Sequence, residues 1–247
     1  MYDLDRYDKI YFSRANINNK SNVLDHYTYY IHQKYNREIM SLPKTFSYLD
    51  LASGQAKYSE ELILHFEKII FSEISSSGLT FMRKKFKYKE NILVKKLDIK
   101  KFNLKQKVDL ISMASSLSYV EINLFLSNIK SNLSEQGYFI FLDTLNNNLI
   151  YRIYRNILRI INPNYRSRKV LKQLVNNKTL EIIKLNFKEV KYHYYGNSIM
   201  LIFLISKIFP IKIRGTKILF SFFKCLDRFL YFLPHYKVIG VCKYLNL

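Results

Sequence analysis

The chain has 247 residues, with 40 Lys or Arg against 19 Asp or Glu, for a formal net charge of +21. At 49% hydrophobic and 24% charged it can bury a proper core, which excludes general disorder. Two cysteines, Cys225 and Cys242, make no disulfide framework, and Cys/His metal spacing is absent, so a reducing compartment and no metal are expected.

Residues 1–45 are polar and aromatic, start without a secretory pattern, and carry helical periodicity over 25–40 that places Tyr27, Tyr30, Ile31 and Lys34 or Tyr35 on one face. From Phe46 the pattern alternates. Strands are expected at Phe46–Leu51, Lys68–Glu73, Ile92–Asp98, Val108–Met113 and Tyr138–Asp143, with helices at 57–66, 76–86 and 121–133 between them and Gly137 in the turn into the fifth strand. Such alternation predicts an α/β fold with a parallel sheet and right-handed crossovers. A helix over 146–161 presents Arg152, Arg155 and Arg159 on one face, and a second helix spans 168–185. A sixth strand at Glu189–Tyr195 and a last at Val238–Tyr244 make seven.

Two apolar segments precede the last strand. Ser198–Phe209 is about half the ~20 residues a span needs, and Ile218–Leu233 carries Lys224, Asp227 and Arg228. Its polar stripe leaves Phe222, Phe223, Leu226, Phe229 and Leu230 on the other side, for packing on the sheet, on a partner subunit, over the acceptor, or on a membrane surface. With no repeats and no Gly/Ser linkers, the chain reads as a cap at 1–45 and one domain at 46–247, with helical insertions at about 146–185 and 198–234.

The stretch Tyr48-Leu-Asp50-Leu-Ala52-Ser53-Gly54-Gln-Ala56 reads as a buried strand, a small-residue turn and a helix start whose free N–H groups face a ligand. Glu73, closing the next apolar run, is placed to accept from ribose hydroxyls. Together with Asp98 after strand three and Leu133-Ser-Glu-Gln-Gly137 before strand five, this series resembles the class I S-adenosylmethionine-dependent methyltransferases over residues 46–143. Two of that family's three loop glycines are Ala52 and Ala56 here, which predicts a slightly reshaped loop.

The resemblance implies a Rossmann-like, mostly parallel seven-stranded sheet and S-adenosylmethionine as cofactor, with S-adenosylhomocysteine as product. It places Asp50, Ala52, Ser53 and Gly54 at the cofactor's amino-acid end and Glu73 on its ribose. Asp98 meets the adenine amino group, Ile74 and Ile99 sandwich the ring, and Met113, Ala114 and Ser115 border the methyl group. The Asp/Asn-Pro-Pro-aromatic motif of base amino methylation is absent, with Ser112–Tyr119 in its place, and no cysteine lies near strands four to six, so oxygen methylation is favoured.

Beyond strand five the chain is similar to a methyltransferase group of bacterial O-antigen and capsule biosynthesis. The likeness lies in Asp143-Thr-Leu-Asn146, Tyr151-Arg152-Ile-Tyr-Arg155, Arg166, Arg168 and Tyr194-Tyr195-Gly196. It implies an anionic, nucleotide- or lipid-linked sugar acceptor, held by Asn146, Arg152, Arg155, Arg166 and Arg168. Tyr27, Tyr30 and Tyr119 are further candidates for the acceptor pocket. Asp143 and His193 are the candidate general bases, with His26 and His32 behind them. No DNA partner is expected; peripheral inner-membrane contact through 198–233 and a homodimer stay open. The charge keeps an RNA methyltransferase as the alternative, although lysines are spread along the chain in the manner of compositional bias. A non-catalytic, methyltransferase-like interaction protein is the third reading.

Overall fold

The computed structural model describes residues 23–43, 47–161, 167–198, 213–229 and 235–245. Arg166, residues 199–209 of the first apolar segment and residues 230–233 of the second, Leu230 among them, lie outside the described residues.

Seven strands form one sheet: β1 Ser47–Leu51, β2 Lys68–Glu73, β3 Ile92–Lys96, β4 Val108–Ala114, β5 Leu133–Thr144, β6 Glu189–Tyr195 and β7 Lys237–Lys243. Their order is β3-β2-β1-β4-β5-β7-β6, with β1 to β5 parallel and β7 antiparallel to both neighbours. The inner strands are near-continuous apolar runs because both faces of a parallel sheet are covered. Tyr48, Phe71, Leu110, Ile140 and Ile239 point to one face, whereas Leu49, Ile111, Phe139, Phe141 and Val238 point to the other.

Helices α1 Val23–Met40, α2 Ser76–Lys85 and, later in the chain, α7 Ile213–Phe229 cover the first face. Helix α1 buries Tyr27, Ile31, Tyr35 and Ile39, an i, i+4 stripe, and the Tyr35 hydroxyl donates to the Ile140 carbonyl at 3.2 Å. Helices α3 Ile122–Asn132 and α6 Asn177–Asn186 cover the second face through Phe125, Leu126, Ile129, Leu180 and Ile183. Helices α4 Leu149–Ile161 and α5 Arg168–Lys172 lie between β5 and α6 in chain order.

Four expectations need correction. The helix expected at 57–66 is a single 3-10 turn, Glu60–Leu62, because the segment is pinned from outside: Asn36 Nδ2 donates to the Tyr58 carbonyl and Ser59 Oγ to Asp50. The helix expected over 168–185 is two, α5 and α6. Val175 pairs with Leu145 as a bridge between them, and Asn176 restarts the helix by accepting from Thr179 N at 3.0 Å. Strand β5 begins at Leu133, so Gly137 lies inside it, next to a register shift on β4 between Val108 and Leu110. On α7 the inward residue is Phe223, while Phe222 and Phe229 are exposed, because Asp227 turns inward to accept from Ser198 N.

Gly240 of β7 faces Phe141 of β5, and a Cβ there would come within 2.2 and 2.4 Å of ring atoms. Gly240→Ala is therefore expected to lower the unfolding free energy by about 1–3 kcal/mol, the usual overpacking cost. Urea unfolding measures it; a change under about 0.5 kcal/mol, the size of an ordinary surface substitution, would mean that the ring moves aside freely.

Candidate functional site

The carboxyl ends of β1, β2 and β4 lie side by side, at the edge where open α/β sheets hold ligands. The β1 turn has three residues in the left-handed region: Ala52 (φ 53°), Gly54 (φ 60°) and Ala56 (φ 48°). For alanine that conformation costs roughly 1 kcal/mol or more, and hydrogen bonds hold it in place. Ser53 N donates to the Ser72 carbonyl at 2.8 Å, Ser53 Oγ to the Asp50 carbonyl at 2.7 Å, and Ala56 N to the Ser53 carbonyl at 2.8 Å. The expected reshaping is thus a change of residue with the glycine-type backbone kept. The expectation of free N–H groups at a helix start is corrected as well, since no helix starts there and these amides are engaged.

Glu73 is buried and braces the turn. Its Oε2 accepts from Gly54 N at 2.9 Å, and its Oε1 from Ile74 N at 2.7 Å and Ser75 N at 3.1 Å. Gly78 of α2 completes the cradle: a Cβ there would lie 3.0 Å from Glu73 Cγ and 3.1 Å from the Gly54 carbonyl. Backbone, the Glu73 side chain and helix approach so closely that a Cβ at that position would push its neighbours aside by a few tenths of an ångström.

Asp50 points to the face under α1, where Ser112 and Ser59 hydroxyls donate to it at 3.0 and 3.2 Å; the Ser112 hydroxyl also meets that of Tyr48 at 2.7 Å. Burial pushes its pKa up to about 6, against the pull of those hydroxyls. Asp98 follows β3, accepting from Lys100 N at 2.9 Å. Leu97 N donates to the Glu73 carbonyl at 3.3 Å, so the two acidic positions stand on adjacent, tied strand ends. Ile99 is buried and Ile74 half-buried beside them. Met113 is buried, Ala114 half-buried, and Ser115 turns sharply (φ 60°) as its N donates to the Leu142 carbonyl at 2.7 Å.

Asp143 is buried, and its oxygens accept from Leu117 N at 2.9 Å and Thr144 N at 2.6 Å, fastening the Leu117–Tyr119 turn to β5. Tyr119 ends that turn, half-buried against the α3 side of the core. His193 is not beside Asp143: it sits on the edge strand β6, beyond β7, with Nε2 3.6 Å from Glu38 of α1. Tyr27 is in the α1 core against Gly196, and Tyr30 packs edge-on to Phe220 of α7, with Lys224 5.0 Å from its ring. His26 also stacks on Phe220, at 5.9 Å.

His32 stacks on Tyr58 at 4.1 Å. Burial, then the charge of Lys237, pulls its pKa down to about 3, so the imidazole is neutral. Lys237 in turn donates to Thr144 Oγ1 at 2.8 Å.

Beside the carboxyl end of β5 lies a cavity of about 720 Å³ that brings together Asn146, Arg152, Arg155 and Arg168. Arg159, Lys172 and Lys178 line it too; the sequence carried the signal for Arg159, which shares the helical stripe of Arg152 and Arg155. Arg155 is buried, donating to Asn146 Oδ1 at 2.7 Å and to the Leu145 carbonyl at 3.0 Å, with its guanidinium 5.7 and 5.3 Å from the Tyr151 and Tyr236 rings.

Residues 49–141 match the family model described as a methyltransferase domain. In structure the chain is similar to the N-methyltransferase NodS from Bradyrhizobium japonicum. The NodS complex with S-adenosylhomocysteine gives a TM-score of 0.59 at 12% identity, covering 98% of this chain and 97% of that one. It is also similar to phosphoethanolamine N-methyltransferase 2 of Haemonchus contortus in complex with S-adenosylmethionine, with a TM-score of 0.60 at 10% identity over 87% of this chain and 52% of that one. No curated protein sequence matches the chain. At these identities the structural likeness establishes the fold, a Rossmann-like methyltransferase sheet.

Proposed function

The chain carries an S-adenosylmethionine-dependent methyltransferase domain, and we propose that it methylates an oxygen of an anionic sugar precursor. That oxygen belongs to a sugar or phosphate-type substituent of a nucleotide- or lipid-linked capsule or O-antigen building block. The observation that carries this reading is the basic cavity at the end of β5. Two neighbouring contacts support it: Asn146 lies on its wall, and Asp143 ties β5 to the turn that leaves β4.

S-adenosylmethionine supplies an electrophilic methyl group on a positive sulfonium. Asp50, Ala52, Ser53 and Gly54 hold its amino-acid end, Glu73 its ribose hydroxyls, and Asp98 its adenine amino group between Ile74 and Ile99. Met113, Ala114 and Ser115 border the methyl group. Much of the rate then comes from holding the acceptor oxygen in line with it. Asp143 takes the acceptor's proton, with His193 as second candidate.

Oxygen is favoured over the amino groups of bases because Ser112–Tyr119 lacks the motif of their methylation; Cys242, against expectation, lies beside β5 and β6, but buried inside β7 opposite Phe139 and Val190, and Cys225 is exposed on α7. No helix among the described residues is long and apolar enough to cross a membrane. Exposed Ile218, Phe222 and Phe229 on α7 support peripheral contact from the cytoplasmic side through 198–233, or a homodimer on the same face.

The test offers the protein S-adenosylmethionine with sugar phosphates, nucleotide sugars or bulk RNA, and measures S-adenosylhomocysteine release. Release that requires an anionic sugar and is lost in Asp98→Ala is the expected outcome. Release with RNA alone would replace this reading by the RNA methyltransferase.

A further inference from the structure

Of the twelve described residues that line the cavity, six are Arg or Lys, five are Asn, and one is Leu171; among these none is acidic and none is aromatic. Like charges gathered around a concavity repel one another, and proteins ordinarily relieve that with carboxylates. Here, among the described residues, Arg152, Arg159, Arg168, Lys172 and Lys178 show no ion pair, whereas the pairs Lys85–Glu60 and His193–Glu38 lie elsewhere. The Nε of Arg159 is buried with no hydrogen-bond partner. A buried donor of this kind is unfavourable until an acceptor oxygen reaches it. The first turn of α6, with Asn177 and Lys178, also lines the cavity and adds the positive end of a helix.

The arginines divide into two roles. Arg155 is spent on the fold, since its guanidinium is bonded to Asn146 and Leu145 and stacked on Tyr151 and Tyr236. It keeps the wall in place and leaves the ligand to Arg152, Arg159 and Arg168. The asparagines offer both donors and acceptors, which suits hydroxyl groups. Two of them are held in position by each other: Asn147 Nδ2 donates to Asn177 Oδ1 at 2.6 Å, and Asn177 N to Asn147 Oδ1 at 2.9 Å.

What the described lining lacks is equally selective. There is no ring on which a nucleobase could stack, and one leucine is too little for an acyl chain. We infer that this cavity binds a sugar phosphate, its phosphate among Arg152, Arg159 and Arg168 and its hydroxyls against the asparagines. This rests on the anionic-acceptor reading above and narrows it: the acceptor is held by its phosphorylated sugar and not by a base or a lipid. The cavity volume lies within the roughly 300–1,000 Å³ of small-molecule sites.

Calorimetric titration of the whole chain with glucose 1-phosphate, UDP-glucose and inorganic phosphate tests this. Glucose 1-phosphate should bind saturably and more tightly than phosphate. Arg159→Ala should weaken it by about tenfold or more, the usual worth of a hydrogen bond to a charged group. Arg168→Ala, whose side chain is exposed and not needed by the fold, should weaken it by about tenfold at an unchanged melting temperature.

Binding untouched by both substitutions, or no binding of glucose 1-phosphate, overturns the inference. So does UDP-glucose binding about tenfold or more tighter, which would mean that the base is read. Release of S-adenosylhomocysteine is measured in parallel. Sugar phosphate binding without methylation of any phosphate ester upholds the cavity and removes the acceptor reading, whereas methylation of a neutral sugar without anion binding removes both.

Discussion

Glu73→Ala is expected to weaken S-adenosylmethionine binding about 100-fold and to lower the melting temperature as well. The carboxylate does two things at once. It accepts from Gly54, Ile74 and Ser75 amides, which fixes the β1 turn, and it is the side chain proposed to take the ribose hydroxyls. Two hydrogen bonds to a charged group at about 1.5 kcal/mol or more each amount to roughly two factors of ten. Glu73→Gln separates the two roles. One end of the amide is a donor, so one of the amides at Gly54 and Ile74 loses its acceptor, and the turn is expected to loosen while the buried volume is kept. Calorimetry with S-adenosylmethionine and with S-adenosylhomocysteine measures both variants, and wild-type affinity in Glu73→Ala would remove this position from the cofactor site.

The second large effect concerns Asp50. Its pKa is raised by burial from an ordinary 3.8 to about 6, so the folded protein prefers the protonated acid. The stability this contributes is present in full below about pH 4 and is lost as pH rises through about 6. Above that, the ionised, desolvated carboxylate costs the fold about 3 kcal/mol, because each tenfold change in proton affinity is worth about 1.36 kcal/mol. Asp50→Asn is therefore expected to raise the unfolding free energy by up to about 3 kcal/mol at pH 8 and by little at pH 4. Ser112 and Ser59 can rotate their hydroxyls to meet an amide as well as a carboxylate.

The gain should come at the expense of binding. A cationic ligand near an acid of this pKa favours the ionised form, so wild-type affinity for S-adenosylmethionine should fall as pH drops below about 6, and Asp50→Asn should be weak at every pH. Denaturant unfolding at the two pH values, paired with calorimetry, measures both halves. The same stability difference between variant and wild type at pH 8 as at pH 4 would show that the buried charge carries no cost. This is the trade between stability and function expected where a fold keeps an unfavourable group for its chemistry.

The sheet was legible because its inner strands are unbroken apolar runs bounded by polar residues. Such a run set β2 to the residue and the start of β4 likewise, and the aromatic edge strand β6 was bounded to the residue as well. The acidic series Asp50, Glu73 and Asp98 was legible for a related reason, since each residue ends or follows a run. What periodicity missed was decided by distant partners. Residues 57–66 have the spacing of a helix, but Asn36, 22 residues before Tyr58, and Asp50, nine before Ser59, hold those two residues outside one. The break between α5 and α6 depends on Val175 meeting Leu145, which no local pattern announces. On α7 a charged residue faces inward because Ser198 waits there to be accepted. At the cavity, arginine spacing gave the stripe on α4, while Lys172 and Lys178 join it only because α5 and α6 bring them to the same wall.

The place of β7 bears on how the chain comes to be folded at all. It is the last strand in chain order, yet it lies between β5 and β6, pairing seven residues with each. While the ribosome is still adding residues before Lys237, β5 has an open edge beside Phe139 and Phe141, and β6 has no neighbour in the sheet to join. An open, apolar edge is a template for another nascent copy. The moment of greatest risk to this protein is thus the interval between the emergence of β5 and the arrival of its closing strand. A chaperone that shields the β5 edge during that interval would raise the yield more than any improvement to the finished core.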